Sequence, residues 1–227
     1  MSKESSLKPI LTATLRLVIG MPVIGLLFFW PAGTFNYWQA WLWLAILFLP
    51  LMGMFLYLIK RDPALLERRV RTGETRPEQR RIIALSSLYL IFIFLVPGFD
   101  KRFGWSSVPV WLILLADVFV LAAFLLNFLV IRVNSYASRV VEIQEGQKVI
   151  TTGPYALVRH PMYTSIILIM LATPIALGSY WGVLPNIPFI FLLAARAKNE
   201  EELLVDELTG YREYMQKTRY RLFPGIW

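Results

Sequence analysis

Apolar residues run through this chain in long blocks, separated by short polar stretches at intervals that suit membrane-crossing helices. Tyr37 to Ile59 carries no charge, and Val108 to Ile131 carries only Asp117. At about 1.5 Å per residue, each block is long enough to cross a hydrocarbon layer of about 30 Å. The pattern predicts six spans, at 10–30, 37–59, 82–99, 108–131, 162–177 and 181–195, with five or seven as alternatives. The last two are short and joined only by Gly178-Ser179-Tyr180, so they read as a tight hairpin held among other helices. Pro174, Pro185 and Pro188 would bend its legs unless neighbours take up the freed carbonyls. Between the fourth span and this hairpin, Val140 to Gln144 and Gln147 to Thr151 flank Glu145-Gly146. That β-branched content and turn chemistry predict a small β-hairpin. No repeat or linker divides the chain. The expected fold is an all-α integral membrane protein of one domain, with four spans in residues 1–131 and the polar signatures in residues 132–227.

Composition agrees with the pattern. The 227 residues are 57% hydrophobic and 15% aromatic, with mean hydropathy +0.56. Only 17% are charged, whereas a soluble domain carries about a quarter. The absence of cysteine excludes a disulfide framework, a thiolate zinc site and a cysteine nucleophile. Met1 to Ile10 is polar and lacks a cleavable signal pattern, so the first span is expected to stay in the mature protein.

Basic residues set the expected orientation. With the N-terminus in the cytoplasm, Lys3, Lys8 and Arg16 lie inside, together with eight basic residues in 60–81, four in 132–159 and six from Arg196 onward. Only Lys101 and Arg102 fall outside. The positive-inside rule therefore puts both termini in the cytoplasm. This bias explains the net charge of +8 without nucleic acid as a partner. The basic stretch 60–81 reads as a topology determinant touching anionic membrane lipids; the alternative is a specific docking role for Arg68, Arg69 and Arg71.

Two polar signatures flank the hairpin. The first is Gly153-Pro154-Tyr155-Ala156-Leu157-Val158-Arg159-His160-Pro161-Met162-Tyr163, which holds the only histidine. Pro161 suits the first turn of a helix, whose free N–H groups, with Arg159 and His160, form a candidate anion site. The alternative is a pair of basic anchors snorkelling to headgroups. The second signature is Arg196-Ala197-Lys198-Asn199-Glu200-Glu201-Glu202. Arg196 and Glu200 are spaced i, i+4 and share a helix face. Successive glutamates point about 100° apart on a helix, so Glu200 and Glu201 are expected to face inward and Glu202 solvent. The alternative is one intrahelical ion pair on a solvated helix. Both ends of the hairpin return to one membrane face, where the two signatures can share a site. Elsewhere, Asp117 is a membrane-embedded acid that reads as an interhelical hydrogen bond or a functional group, with Asn127 as one candidate partner. Trp38, Trp41 and Trp43 read as interfacial belt residues or as the border of a lipid entry path.

The first signature, as Gly-x-Tyr-x-x-x-Arg-His-Pro-x-Tyr, resembles the isoprenylcysteine carboxyl methyltransferase family and related membrane phospholipid methyltransferases. So do Arg196-x-x-x-Glu-Glu-Glu, Gly210-Tyr211-Arg212-Glu213-Tyr214 and Arg221-Leu222-Phe223-Pro224. The resemblance covers about residues 130 to 227. It implies S-adenosylmethionine as cofactor, held at the cytoplasmic membrane face by the loop and C-terminal helices without a soluble nucleotide-binding domain. It implies a cofactor site of Glu142, Gln147, Lys148, Val149, Ile150, Tyr155, His160, Pro161, Met162, Tyr163, Glu200 and Glu201, with Arg159 beside them. Arg196 matches the position that meets the methyl acceptor and is the expected catalytic residue. Gln147 stands where relatives often have histidine, so a side-chain contact there would differ. The implied activity is methyl transfer to a lipophilic or membrane-delivered acceptor, a carboxylate, amine or thiol, with no metal. Two other readings are a nicotinamide-dependent sterol or enone reductase and a non-enzymatic lipid-binding protein.

Overall fold

The computed structural model describes residues 3–71, 73, 74, 76–138, 140 and 142–227, with side chains from Leu7 onward. Among these residues eight α-helices form: α1 (Lys3–Ala32), α2 (Trp38–Arg61), α3 (Pro63–Val70), α4 (Pro77–Phe103), α5 (Val110–Val133), α6 (Pro161–Ala176), α7 (Asn186–Glu207) and α8 (Tyr211–Lys217). Four are long and apolar enough to cross a membrane: α1 from Leu7 onward, α2, α4 and α5. The chain is thus built as an integral membrane protein. The other two predicted spans form as the α6–α7 hairpin. α6 has 16 residues, about 24 Å, and the last turns of the 22-residue α7 are charged. By length and apolarity alone, four spans are identified among the described residues, with α6 a shorter apolar helix.

The hairpin link is longer than the sequence suggested. It runs from Leu177 to Pro185 and contains a 3₁₀ turn at Trp181–Val183. Pro185 caps α7 and Pro188 lies in its first turn, where a missing N–H is harmless, so both start the helix and neither bends it. The predicted β-hairpin is absent: no strand forms among the described residues, and Val141 lies outside them. Its turn does form, with Gln147 N–H donating to the Gln144 carbonyl at 3.0 Å. The flanking groups bond elsewhere. The Gln144 amide donates to the Tyr136 carbonyl, and the Tyr136 hydroxyl donates to that of Gly146. The predicted loop 60–81 also contains α3, capped by the Asp62 carboxylate accepting from Leu65 N–H at 2.9 Å, with Pro63 in its first turn.

The core joins four helices. Phe28 of α1, Trp43 of α2 and Phe94 of α4 pack edge to face at 5.3–5.6 Å, and the Trp43 indole donates to Thr173 of α6. Trp43 is therefore a core residue, whereas Trp38 and Trp41 are exposed. At the end away from the signatures, buried Asp100 accepts from both Ser106 and Ser179, and the Tyr37 hydroxyl donates to the Leu177 carbonyl. These bonds tie the hairpin tip to α2 and α4, so the roots of α6 and α7 are fixed at the opposite end. Asp117 is buried with no hydrogen-bond partner among the described residues, and Asn127 donates to Ser165 instead.

Gly98 lets α1 and α4 touch. A Cβ there would stand 2.4 Å from Pro31 Cγ and 2.7 Å from the Phe28 carbonyl oxygen, backbone that cannot yield. Gly98→Ala is expected to cost about 1–3 kcal/mol, read as a lowered Tm in detergent. Gly53→Ala, whose Cβ meets nothing within 4 Å, should leave Tm unchanged or raise it.

Candidate functional site

Where α5 ends, the chain crosses the polar end of the bundle to a 3₁₀ turn at Gly153–Ala156 and enters α6 through Arg159-His160-Pro161. Gly153 has φ +60, and a Cβ would lie 3.3 Å from Val133, so both the turn and the close wall require glycine. His160 is the N-cap of α6, with Pro161 in its first turn, as the sequence indicates. The C-terminal segment lies across this entry. The Arg159 and His160 N–H groups donate to the Tyr220 and Arg221 carbonyls, both at 2.9 Å, and the Thr164 hydroxyl donates to that of Leu222 at 2.6 Å.

One carboxylate fixes that arrangement. Glu201, at the end of α7, is buried with Arg159 on one oxygen and Arg221 on the other. Arg159 also donates to the Thr218 and Arg219 carbonyls at 2.8 and 2.7 Å, which uses its fork on the tail. His160 Nε2 stands 3.7 Å from Glu201. Burial alone would push the Glu201 carboxyl up. His160, Arg159 and Arg221 outweigh it and hold the pKa at about 2.

Above this ion cluster lies a partly open cavity of about 890 Å³, its mouth included. Of the expected site residues, Glu142, Gln147, Lys148, Val149, Ile150, Tyr155, Arg159, His160, Met162, Tyr163, Arg196 and Glu200 all line it. Pro161 and Glu201 do not: Pro161 is buried in the first turn of α6, and Glu201 points into the arginine pair beneath. Glu202 is exposed, as expected.

Between Arg196 and Glu200 comes Tyr163. Its hydroxyl accepts from Arg196 Nε at 2.9 Å and donates to Glu200 Oε2 at 2.6 Å. The i, i+4 pair is thus one wall of a cavity and is bridged by a phenol from the first signature. Opposite it, the Asn134 amide donates to the Tyr155 hydroxyl at 2.6 Å, and the Tyr214 hydroxyl donates to the Tyr155 carbonyl at 2.7 Å. Burial keeps Tyr155, Tyr211 and Tyr214 protonated, Tyr214 pushed up to about 12. The site therefore presents phenols, the Glu142 and Glu200 carboxylates, and the Arg159 and Arg196 guanidiniums. It suits recognition of a polar, flat-faced molecule with hydroxyl and carboxylate groups.

Sequence reasoning missed part of the lining. Asn134, Tyr136, Ser138, Leu203, Leu204, Tyr211 and Tyr214 also face the cavity. Tyr211 and Tyr214, three residues apart on α8, had a signal in the Gly210–Tyr214 motif; the others had none. The arginines of α3, with Arg71 just past its end, make contacts within the chain. Arg68 donates to the Ser135 carbonyl at 2.6 Å, Arg69 reaches Met162 Sδ at 3.4 Å, and Arg71 pairs with Glu142 at 3.1 Å. Among the described residues, no group of three or more His, Cys, Asp or Glu is placed to hold a metal ion.

Glu201→Gln leaves two arginines facing a neutral amide. It is expected to cost about 3–5 kcal/mol and to release the tail, read as a lower Tm and faster tryptic cleavage at Arg219 or Arg221. Folding lowers this carboxyl's pKa, so its contribution is complete above the ordinary 4.5 and fades as pH falls towards about 2. The wild-type tail should therefore resist cleavage equally from about pH 5 to pH 8.

A family model described as phospholipid methyltransferase matches residues 111–210, from the start of α5 to the residue before α8. No curated protein matches the chain. The match takes in the loop, both hairpin legs and the acidic run, and leaves out the tail that closes the ion cluster. Over residues 111–210, a little under half of its length, the chain is similar to the phospholipid methyltransferase family.

Proposed function

We propose that this protein is an S-adenosylmethionine-dependent methyltransferase acting on a lipophilic acceptor at the cytoplasmic face of a membrane. One observation carries the reading. Residues that the resemblance assigned from two separate stretches, 142–163 and 196–200, line one cavity. Two of the cavity residues also carry buried polar atoms that make no hydrogen bond among the described residues: the Tyr211 hydroxyl, and His160 Nε2, whose nearest charge is Glu201 at 3.7 Å. Native proteins rarely strand such groups, so they fit a ligand rich in donors and acceptors. The orientation rests on the positive-inside rule applied to the sequence: the basic stretches 60–81, 132–159 and 196 onward include or adjoin the cavity-lining segments, and Lys101 and Arg102 lie at the other end of α4.

Bound there, S-adenosylmethionine would supply an electrophilic methyl group on a sulfonium. The tyrosines, His160 and Glu200 would hold the nucleoside and amino-acid ends, with Glu200 free to accept from ribose hydroxyls through the oxygen that Tyr163 does not use. Arg196, fixed by Tyr163, would orient the acceptor, by charge if that group is a carboxylate. The chemistry supplied would be transfer of that methyl to the acceptor's lone pair with loss of its bond to sulfur, and the protein would contribute alignment and a fixed electrostatic field. Glu201 leaves the proposed cofactor set and acts as a positioning residue, through Arg159 and the tail.

Calorimetry should show binding of S-adenosylhomocysteine and none of NADPH; the reverse would overturn the reading in favour of a reductase. With labelled S-adenosylmethionine and a membrane-lipid extract, wild type should label a lipid that mass spectrometry identifies as acid, amine or thiol. Arg196→Ala and Glu200→Ala should each lower that transfer by about 100-fold while staying folded. No transfer by any of the three proteins would instead fit a lipid-binding role without catalysis.

A further inference from the structure

Beyond α8 the chain turns back towards the bundle. The Thr164 hydroxyl holds the Leu222 carbonyl at 2.6 Å, so segment 218–227 lies beside the first turn of α6, where the chain enters the apolar layer. Leu222 is buried in the same apolar cluster as Leu193 and Ala197 of α7, and Phe223 packs against that cluster. The segment then closes on itself. The main-chain oxygen of Trp227 accepts from the Arg221 and Leu222 N–H groups at 2.9 and 3.0 Å, and Gly225 makes the turn at φ +80. The result is a short strap with one side against the hairpin and the other open.

The open side is poorly suited to water. Ile226 is 82% exposed and Leu157 68%, and Tyr220 and Trp227 are exposed beside them. Leu157 belongs to this patch because the Arg159 N–H, two residues on, donates to the Tyr220 carbonyl. Lys217 and Arg219 are exposed on the same segment, and no acidic residue occurs from Tyr214 to Trp227. Apolar and aromatic tips next to unopposed cations, at the root of a helix entering the apolar layer, complement the interface of a bilayer with anionic headgroups.

Arg221 ties the patch to the candidate site. Its guanidinium lies over the Trp227 ring at 5.0 Å and pairs with the buried Glu201 carboxylate. Glu201 in turn holds Arg159, which lines the cavity. One chain of contacts therefore runs from an exposed indole to the cavity wall.

We propose that segment 217–227 is a membrane strap: Leu157, Ile226 and Trp227 seat in the leaflet at the site's end of the bundle, and Lys217 and Arg219 bind its anionic headgroups. The leaflet is then part of what keeps Arg221 on Glu201. Arg68, Arg69 and Arg71 of the basic stretch 60–81 are engaged within the chain, so this headgroup contact is a separate one. The proposal needs no catalysis and is independent of the methyltransferase reading.

The chain has no cysteine, so a single introduced one carries a spin label without background. Ile226→Cys, Val18→Cys and Glu202→Cys are labelled in the full chain. They are placed in vesicles of phosphatidylcholine alone, or with about 30% phosphatidylglycerol. Val18 is exposed on a spanning helix and marks a lipid-facing position; Glu202 marks a solvent-facing one. In the anionic vesicles the label at 226 should be open to oxygen and shielded from a water-soluble nickel chelate, as at 18 and unlike at 202. In unlabelled wild type, phosphatidylglycerol should slow hydrogen exchange in peptides covering 218–227 by about tenfold or more. Lys217→Gln combined with Arg219→Gln should abolish that slowing. Nickel access at 226 equal to that at 202 would overturn the proposal. So would exchange indifferent to phosphatidylglycerol, or a lipid effect that survives in the double variant. A label shielded from both reagents and freed on dilution with lipid would overturn it too, by showing a second copy of the chain on the patch.

Discussion

The polar end of this molecule depends on one carboxylate carrying an arginine on each oxygen. Glu201 ends the hairpin, Arg159 begins it, and Arg221 belongs to the tail that folds back over both. Removing three charges from water is costly, and a well-packed apolar trio could match the cluster in stability. What the ion cluster adds is register. A guanidinium fork meets a carboxylate in few geometries, so the start of α6, the end of α7 and the tail are fixed relative to one another. Two of those segments, the start of α6 and the last turns of α7, also line the cavity.

The rest of the fold makes this possible by holding the opposite end. Asp100, Ser106, Ser179 and Tyr37 pin the hairpin tip to α2 and α4. The Phe28–Trp43–Phe94 trio and the close approach at Gly98 keep those helices together along their length. With its tip fixed, a 16-residue leg that barely crosses the apolar layer still delivers His160 and Tyr163 to the same place as Arg196 and Glu200. Arg68 and Arg69 of α3 and the following Arg71 brace the remaining wall, on Ser135, Met162 and Glu142. The basic stretch 60–81 thus also shapes the mouth of the site.

Much of this was legible in the sequence, and the gaps have physical causes. Hydrophobic blocks marked the four long helices, because a membrane span needs little beyond length and apolarity. Pro161 in a first turn and the solvent-facing Glu202 followed from local helix geometry. The sequence could not show that Tyr163 separates Arg196 from Glu200, because spacing along one helix says nothing of a side chain arriving from another. For the same reason Glu201 read as a ligand for the cofactor, although its partners turned out to be Arg159 and Arg221. The β-hairpin failed where propensity was outbid by side-chain amides bonding the local backbone, as Gln144 does with Tyr136. Trp43 looked like its interfacial neighbours until its indole was seen to face Thr173.

The account's central claim is that two distant stretches of chain close around one nucleoside. Hydrogen exchange read by mass spectrometry, with and without S-adenosylhomocysteine, tests it most directly. The account predicts that the ligand slows exchange in peptides from both 142–163 and 196–214, with α1 and α4 unchanged. Protection confined to one of those stretches, or absent from both at a saturating concentration, would contradict it.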